Sequence, residues 1–85
     1  MLDVKEAARR ASEYFAGLYS EQKIQNVQLE EVEISDDGKY WLITLSYPMP
    51  PELAALNFNF KRKYKVFTID AETGDVKSMK IRKVE

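Results

Sequence analysis

The apolar residues change their spacing once along this chain, and that change sets the order of its secondary structure. Between Asp3 and Leu18 they recur every three or four residues, as in an amphipathic helix, and from Asn26 onward they mostly alternate, as in strands. With 85 residues, 45% of them apolar, the chain is long enough for one core and too short for two. The sequence therefore predicts a single α+β domain over residues 1–85.

The predicted helix begins at Asp3, whose carboxylate can cap the first turn. Glu6 follows three residues later, the spacing of a capping box. Apolar residues at helical spacing form a stripe that is expected to face the sheet: Val4, Ala8, Ala11, Phe15 and Leu18, widened by Ala7 and Tyr14. The alanines in this stripe would let the helix backbone approach the sheet closely.

Four strands are predicted after the helix, at residues 27–34, 40–47, from as early as 57 to 69, and 76–84. The first changes phase at Glu30 and Glu31, and a β-bulge there would keep its apolar residues on one face. Turns containing Gly38 and Gly74 join neighbouring strands, because glycine supplies the positive φ that such turns need. Short connections favour a four-stranded antiparallel meander, and we expect its Trp41 face to meet the helix.

Cysteine and histidine are both absent. Zinc signatures need one or the other, and serine or cysteine nucleophiles are activated by histidine. The acidic residues do not match a calcium loop, and three glycines do not make a phosphate loop. We therefore expect no enzyme activity, no metal and no cofactor.

Charge and hydropathy bear on the partners and the location of the protein. No apolar run approaches the ~20 residues of a membrane helix, and charged residues follow Met1 at once. We expect no membrane association, and a cytoplasmic location if the chain is complete; for an excised domain the compartment is open. Residues 61–65 interleave basic side chains with a tyrosine, as single-stranded nucleic-acid binders do, but a pI of about 5.5 argues against such a partner.

Charge is distributed unevenly along the chain. Residues 1–60 contain five Lys or Arg and ten Asp or Glu, whereas residues 61–85 contain eight and four. If both parts lie in one sheet, this asymmetry predicts charge pairing between strands.

Residues 64–76 form a strand, an Asp-x-x-Thr-Gly turn from Asp70 to Gly74, and the start of a closing strand. Together with the earlier Trp-bearing strand at residues 40–45, this stretch resembles PepSY-type domains. The resemblance implies a cystatin-like helix on a curled antiparallel sheet. It also implies a non-catalytic binding or inhibitory module, which in that family is often attached to peptidases or secreted proteins.

Two surfaces are candidates for interaction with a protein, a peptide or a second copy. The first contains apolar residues around a proline-rich turn: Met49, Leu53, Leu56, Phe58 and Phe60. These residues either cap the open end of the core or form an interface. The second is the outer sheet face with Tyr40 and Tyr64, either an ordinary mixed surface or a contact for a ligand or dimer partner. A small-molecule-binding domain and a self-associating structural protein are the alternatives.

Overall fold

The computed structural model describes residues 1–20, 24, 26–48 and 62–82. These residues form one helix and four strands: α1 (Val4–Leu18), β1 (Gln28–Ile34), β2 (Tyr40–Tyr47), β3 (Lys63–Asp70) and β4 (Val76–Arg82). All neighbouring strands are antiparallel, their order is β1-β2-β3-β4, and α1 packs on one face. The predicted α+β fold, a helix on a four-stranded meander, is confirmed.

The predicted ends of two strands fall at the limits of the described residues. Arg62 lies just before β3, and the proposed extension of that strand back to Asn57 concerns residues outside the described ranges. The proposed last residues of β4, 83 and 84, also lie outside them.

α1 begins where its capping residue predicts. The Asp3 carboxylate accepts a hydrogen bond from the Glu6 backbone N–H at 2.8 Å, which satisfies one of the free donors of the first turn. At the other end, the Tyr19 N–H donates to the Phe15 carbonyl at 3.1 Å.

Both predicted turns have a glycine in the left-handed region, Gly38 at φ 72° and Gly74 at φ 81°. In the second turn, the Asp70 carboxylate accepts from the backbone N–H groups of Glu72 and Thr73 at 2.8 and 3.0 Å. A Cβ at Gly74 would lie 3.1 Å from the guanidinium carbon of Arg10, whereas one at Gly38 would meet nothing. Gly74 therefore combines a positive φ with a position directly against the end of the Arg10 side chain.

The core lies between α1 and the two central strands. Its fully buried members are Ala7, Ala11, Phe15, Ile43, Leu45, Phe67 and Ile69. Trp41 packs at the margin, and its indole N–H donates to the Leu2 carbonyl at 2.9 Å. The predicted orientation of the Trp41 face toward the helix is confirmed.

The predicted helix stripe is wrong at its flank. Ala7, Ala11 and Phe15, spaced by four residues, face the sheet, whereas Leu18 is 53% exposed and Tyr14 is also exposed. Leu18 is in the last turn of α1. Tyr14, although exposed, lies edge-on against Phe67 of β3 with ring centroids 6.3 Å apart, so its ring covers the margin of the core.

The predicted bulge in β1 is confirmed. Leu29 pairs with Leu45 and Glu31 pairs with Thr44, so that Glu30 is the extra residue. After the bulge, Val32 and Ile34 lie on the α1 side of the sheet, as Leu29 does.

Candidate interaction surface

β1 is exposed along all seven of its residues, although it is paired to the largely buried β2. A helix is ~10 Å across and neighbouring strands lie ~4.8 Å apart, so one helix covers about two strands. α1 covers β2 and β3, which supply the sheet residues of the core. Among the described residues, no other element covers the α1 side of β1.

Three apolar side chains of β1 are exposed on this open strip, and Val27 is exposed just before it; we call these four residues the apolar row: Val27, Leu29, Val32 and Ile34. Leu29 is 53% exposed and Val32 is 42% exposed, large fractions for side chains that point to the same side as the core. Over the described part of the chain, β1 pairs with β2 alone, so its other edge offers backbone N–H and C=O groups for pairing.

A groove lies between α1 and the segment that leads into β1. Its volume is about 440 Å³, and it is lined by Ser12, Phe15, Ala16, Tyr19, Ser20, Ile24 and Val27. Its floor continues into a cluster of aromatic rings, in which Phe15 lies 4.8 Å from Tyr19 and 5.0 Å from Tyr47 between centroids. Burial, with a smaller contribution from Tyr19, raises the pKa of Tyr47, so this phenol is neutral at physiological pH. The groove is thus a mainly apolar and uncharged continuation of the apolar row.

On the outer face of the sheet, the Arg82 side chain links the two edge strands, β4 and β1. This side chain extends from β4 across the sheet to the Glu31 carboxylate on β1, with Nη1 to Oε1 at 3.0 Å. The same Nη1 donates to the Thr44 hydroxyl at 3.0 Å. Thr44 is buried because this long side chain lies over it.

A second link joins β1 to the start of β3 through Ser46. The Ser46 hydroxyl donates to Glu30 Oε2 at 2.6 Å and accepts from Arg62 Nε at 2.9 Å. Ser46 is fully buried even though it points away from α1. The predicted charge pairing between strands is confirmed for one pair, Arg82 and Glu31, whereas Glu30 and Arg62 meet only through the Ser46 hydroxyl.

The residues predicted as an interaction surface fall into two groups. Most lie outside the described residues: Met49, Leu53, Leu56, Phe58 and Phe60. Tyr40 and Tyr64 are both half-buried on the outer face, but Tyr40 pairs with Asp70 and Tyr64 pairs with Ser46. Tyr40 and Ser46 are six positions apart along β2, about 20 Å at the rise of a strand, so the two tyrosines do not form one patch.

The sequence places these four residues on the inward face of the sheet and so does not identify the apolar row. The sequence does indicate that part of the sheet is uncovered, because one helix cannot cover four strands. Which strand would be left open depends on where the helix sits across the sheet, and the apolar spacing does not specify that position.

Within residues 1–20, 24, 26–48 and 62–82, no three acidic side chains gather as a cation site, and no helix is long and apolar enough to cross a membrane. Comparison with protein-family models, curated proteins and solved structures finds no match to this chain, so the PepSY-type resemblance stays a prediction.

Proposed function

We propose that this chain is a non-catalytic interaction module that binds an extended segment of a partner protein along the open edge of β1. The apolar row carries this proposal. Apolar side chains exposed on an edge strand and just before it are costly in water, and covering them with a partner is favourable.

Binding would add a strand to the sheet. The partner backbone pairs with the free edge of β1, and its side chains point alternately to the two faces. On the α1 side they contact the apolar row, and a larger apolar side chain enters the groove. On the outer face they meet Glu31 and Glu33, of which Glu33 has no ion pair with any described residue. The partner segment should therefore alternate apolar and basic residues.

Two features of the sequence support a binding role over catalysis. The chain lacks the histidine and cysteine on which common nucleophilic and zinc sites depend. The PepSY-type resemblance implies a binding or inhibitory module as well.

A synthetic peptide that alternates lysine and valine tests the proposal. Titrated into isotope-labelled protein, it should shift the backbone amide signals of β1 and of the groove residues far more than those of β4. Added salt should weaken binding, because part of the attraction is between exposed charges.

Two controls make this experiment specific. A peptide with serine in place of valine keeps the charge and should bind at least about tenfold more weakly, because it cannot cover the apolar row. The Leu29→Lys variant, changed at a half-exposed side chain of the row, should lose the response to the lysine–valine peptide. Shifts confined to β4 or to the outer face, or no shifts at all, would refute the proposal.

The groove supports a second candidate function, binding of a small apolar ligand. Its volume of about 440 Å³ falls in the range of ligand pockets, ~300 to 1,000 Å³, and its lining combines apolar groups with two serine hydroxyls. The probe is the dye 1-anilinonaphthalene-8-sulfonate, whose emission should rise with the folded protein. Ala16→Phe fills the groove and should abolish that rise, whereas equal emission from both proteins would exclude the groove as the site.

A further inference from the structure

β4, the other edge of the sheet, has the side-chain pattern that the β1 edge should bind. Ile81 points to the α1 side, opposite Lys65, and is 74% exposed. Its neighbours Lys80 and Arg82 point to the outer face. Over residues 79–82, β4 therefore alternates apolar and basic residues, as the proposed partner segment does.

The topology allows β4 of one copy to extend the sheet of another. Four strands alternate in direction, so β1 and β4 run antiparallel to each other. If copies are placed side by side in the same orientation, β4 of one lies antiparallel to β1 of the next. The helices then stay on one face, and Ile81 is on the same side as the apolar row.

Charge favours this unlike pairing over pairing of identical edges. Two β1 strands side by side would bring together Glu30, Glu31 and Glu33 of both copies. Two β4 strands would bring together their lysines, Lys77 and Lys80. Like charges opposite each other in a sheet are destabilising, and opposite charges are stabilising. Charge therefore disfavours pairing of β1 with β1 or of β4 with β4, and favours pairing of β1 with β4.

We propose that a second copy of this chain occupies the β1 edge, with its β4 as the added strand, so that copies join head to tail. This inference rests on the proposed function, since it uses the same edge and the same apolar row. Such an interface is heterologous and grows into a ring or an open chain of copies. Two seven-residue strands bury a small area, in the class below ~1,200 Å², so we expect weak, concentration-dependent association.

Sedimentation velocity of two variants, alone and mixed, tests the head-to-tail geometry. Leu29→Lys blocks the β1 edge and leaves β4 intact, whereas Ile81→Lys blocks β4 and leaves β1 intact. Each variant alone should associate at least about tenfold more weakly than the unmodified chain. Their equimolar mixture should form a dimer and nothing larger, because each dimer has one good junction and two blocked ends.

Circular dichroism establishes that the variants are folded before they are compared. If Leu29→Lys does not fold, Glu33→Lys replaces it, because that side chain is exposed and on the outer face. Ile81→Val is the matched control for β4 and should associate like the unmodified chain.

Other results would overturn the inference in identifiable ways. Association that survives Ile81→Lys but not Leu29→Lys indicates a symmetric β1 dimer, and a mixture that stays monomeric excludes the head-to-tail junction. An unmodified chain that is monomeric at all concentrations, yet binds the lysine–valine peptide at β1, refutes self-association and leaves the proposed function standing. Head-to-tail association without any response to the peptide would support strand addition at β1 and refute the alternating lysine–valine sequence proposed for the partner segment.

Discussion

Replacing Ser46 with alanine tests whether the link between Glu30 and Arg62 stabilises the outer face of the sheet. The change removes one hydroxyl that donates at 2.6 Å to a carboxylate and accepts at 2.9 Å from a guanidinium. A hydrogen bond to a charged group contributes about 1.5 to 3 kcal/mol net. Glu30 is exposed and recovers part of its loss by binding water, so we expect the two bonds together to cost about 1.5 to 3 kcal/mol.

In a domain of this size, each kcal/mol lost from the free energy of unfolding lowers Tm by ~4 to 8 °C, so Tm should fall by about 10 °C. Urea unfolding followed by circular dichroism measures the free energy of unfolding directly, and an unchanged m-value would show that the two-state comparison is valid. Ser78→Ala is the matched control: Ser78 is on the same face, and its hydroxyl makes no side-chain hydrogen bond to any described residue. Equal losses in the two variants, or a loss below about 0.5 kcal/mol for Ser46→Ala, would refute the reasoning.

Three further predictions concern the turns and α1. Gly74→Ala should cost more free energy of unfolding than Gly38→Ala, because both residues have positive φ but only the first would contact Arg10; equal urea midpoints would contradict this. Backbone hydrogen bonds from Thr73 and then Glu72 lower the pKa of Asp70, so its contribution to stability is complete above about pH 4 and is lost as pH falls through the lowered pKa. Asp70→Asn keeps the acceptor oxygen without the charge, and its urea midpoint should fall less steeply below pH 4 than that of the unmodified chain. Phe15→Ala should cost about 3 to 5 kcal/mol and Leu18→Ala less than about 1 kcal/mol, and similar losses for both would contradict the exposure of Leu18.

The parts of the fold that depend on neighbours in the sequence could be predicted closely. The Asp3 cap, the bounds of α1 and β2, and the two turns each follow from a few adjacent residues. The bulge at Glu30 could also be predicted, because the alternation of apolar residues changes phase there by one position.

The candidate site depends on two features that the local pattern does not contain. One is the lateral position of α1, which covers β2 and β3 and, within the part of the chain that the structure describes, leaves the apolar row exposed. The other is the reach of the arginines: Thr44 and Ser46 occupy outward positions of β2, yet they are buried under Arg82 and beside Arg62. Strand alternation predicts the direction of a side chain but not what a long side chain from another strand will cover.

The fluorescence of Trp41 can report what happens at the β1 edge of the sheet, although Trp41 itself is in the neighbouring strand β2. It is the single tryptophan of the chain, and it pairs directly with Ile34 of β1. Its indole is also hydrogen-bonded to Leu2, beside α1. A strand added to β1 would lie one strand spacing beyond Ile34 and change the polarity around this fluorophore, so binding at the edge can be followed through intrinsic emission without any attached label.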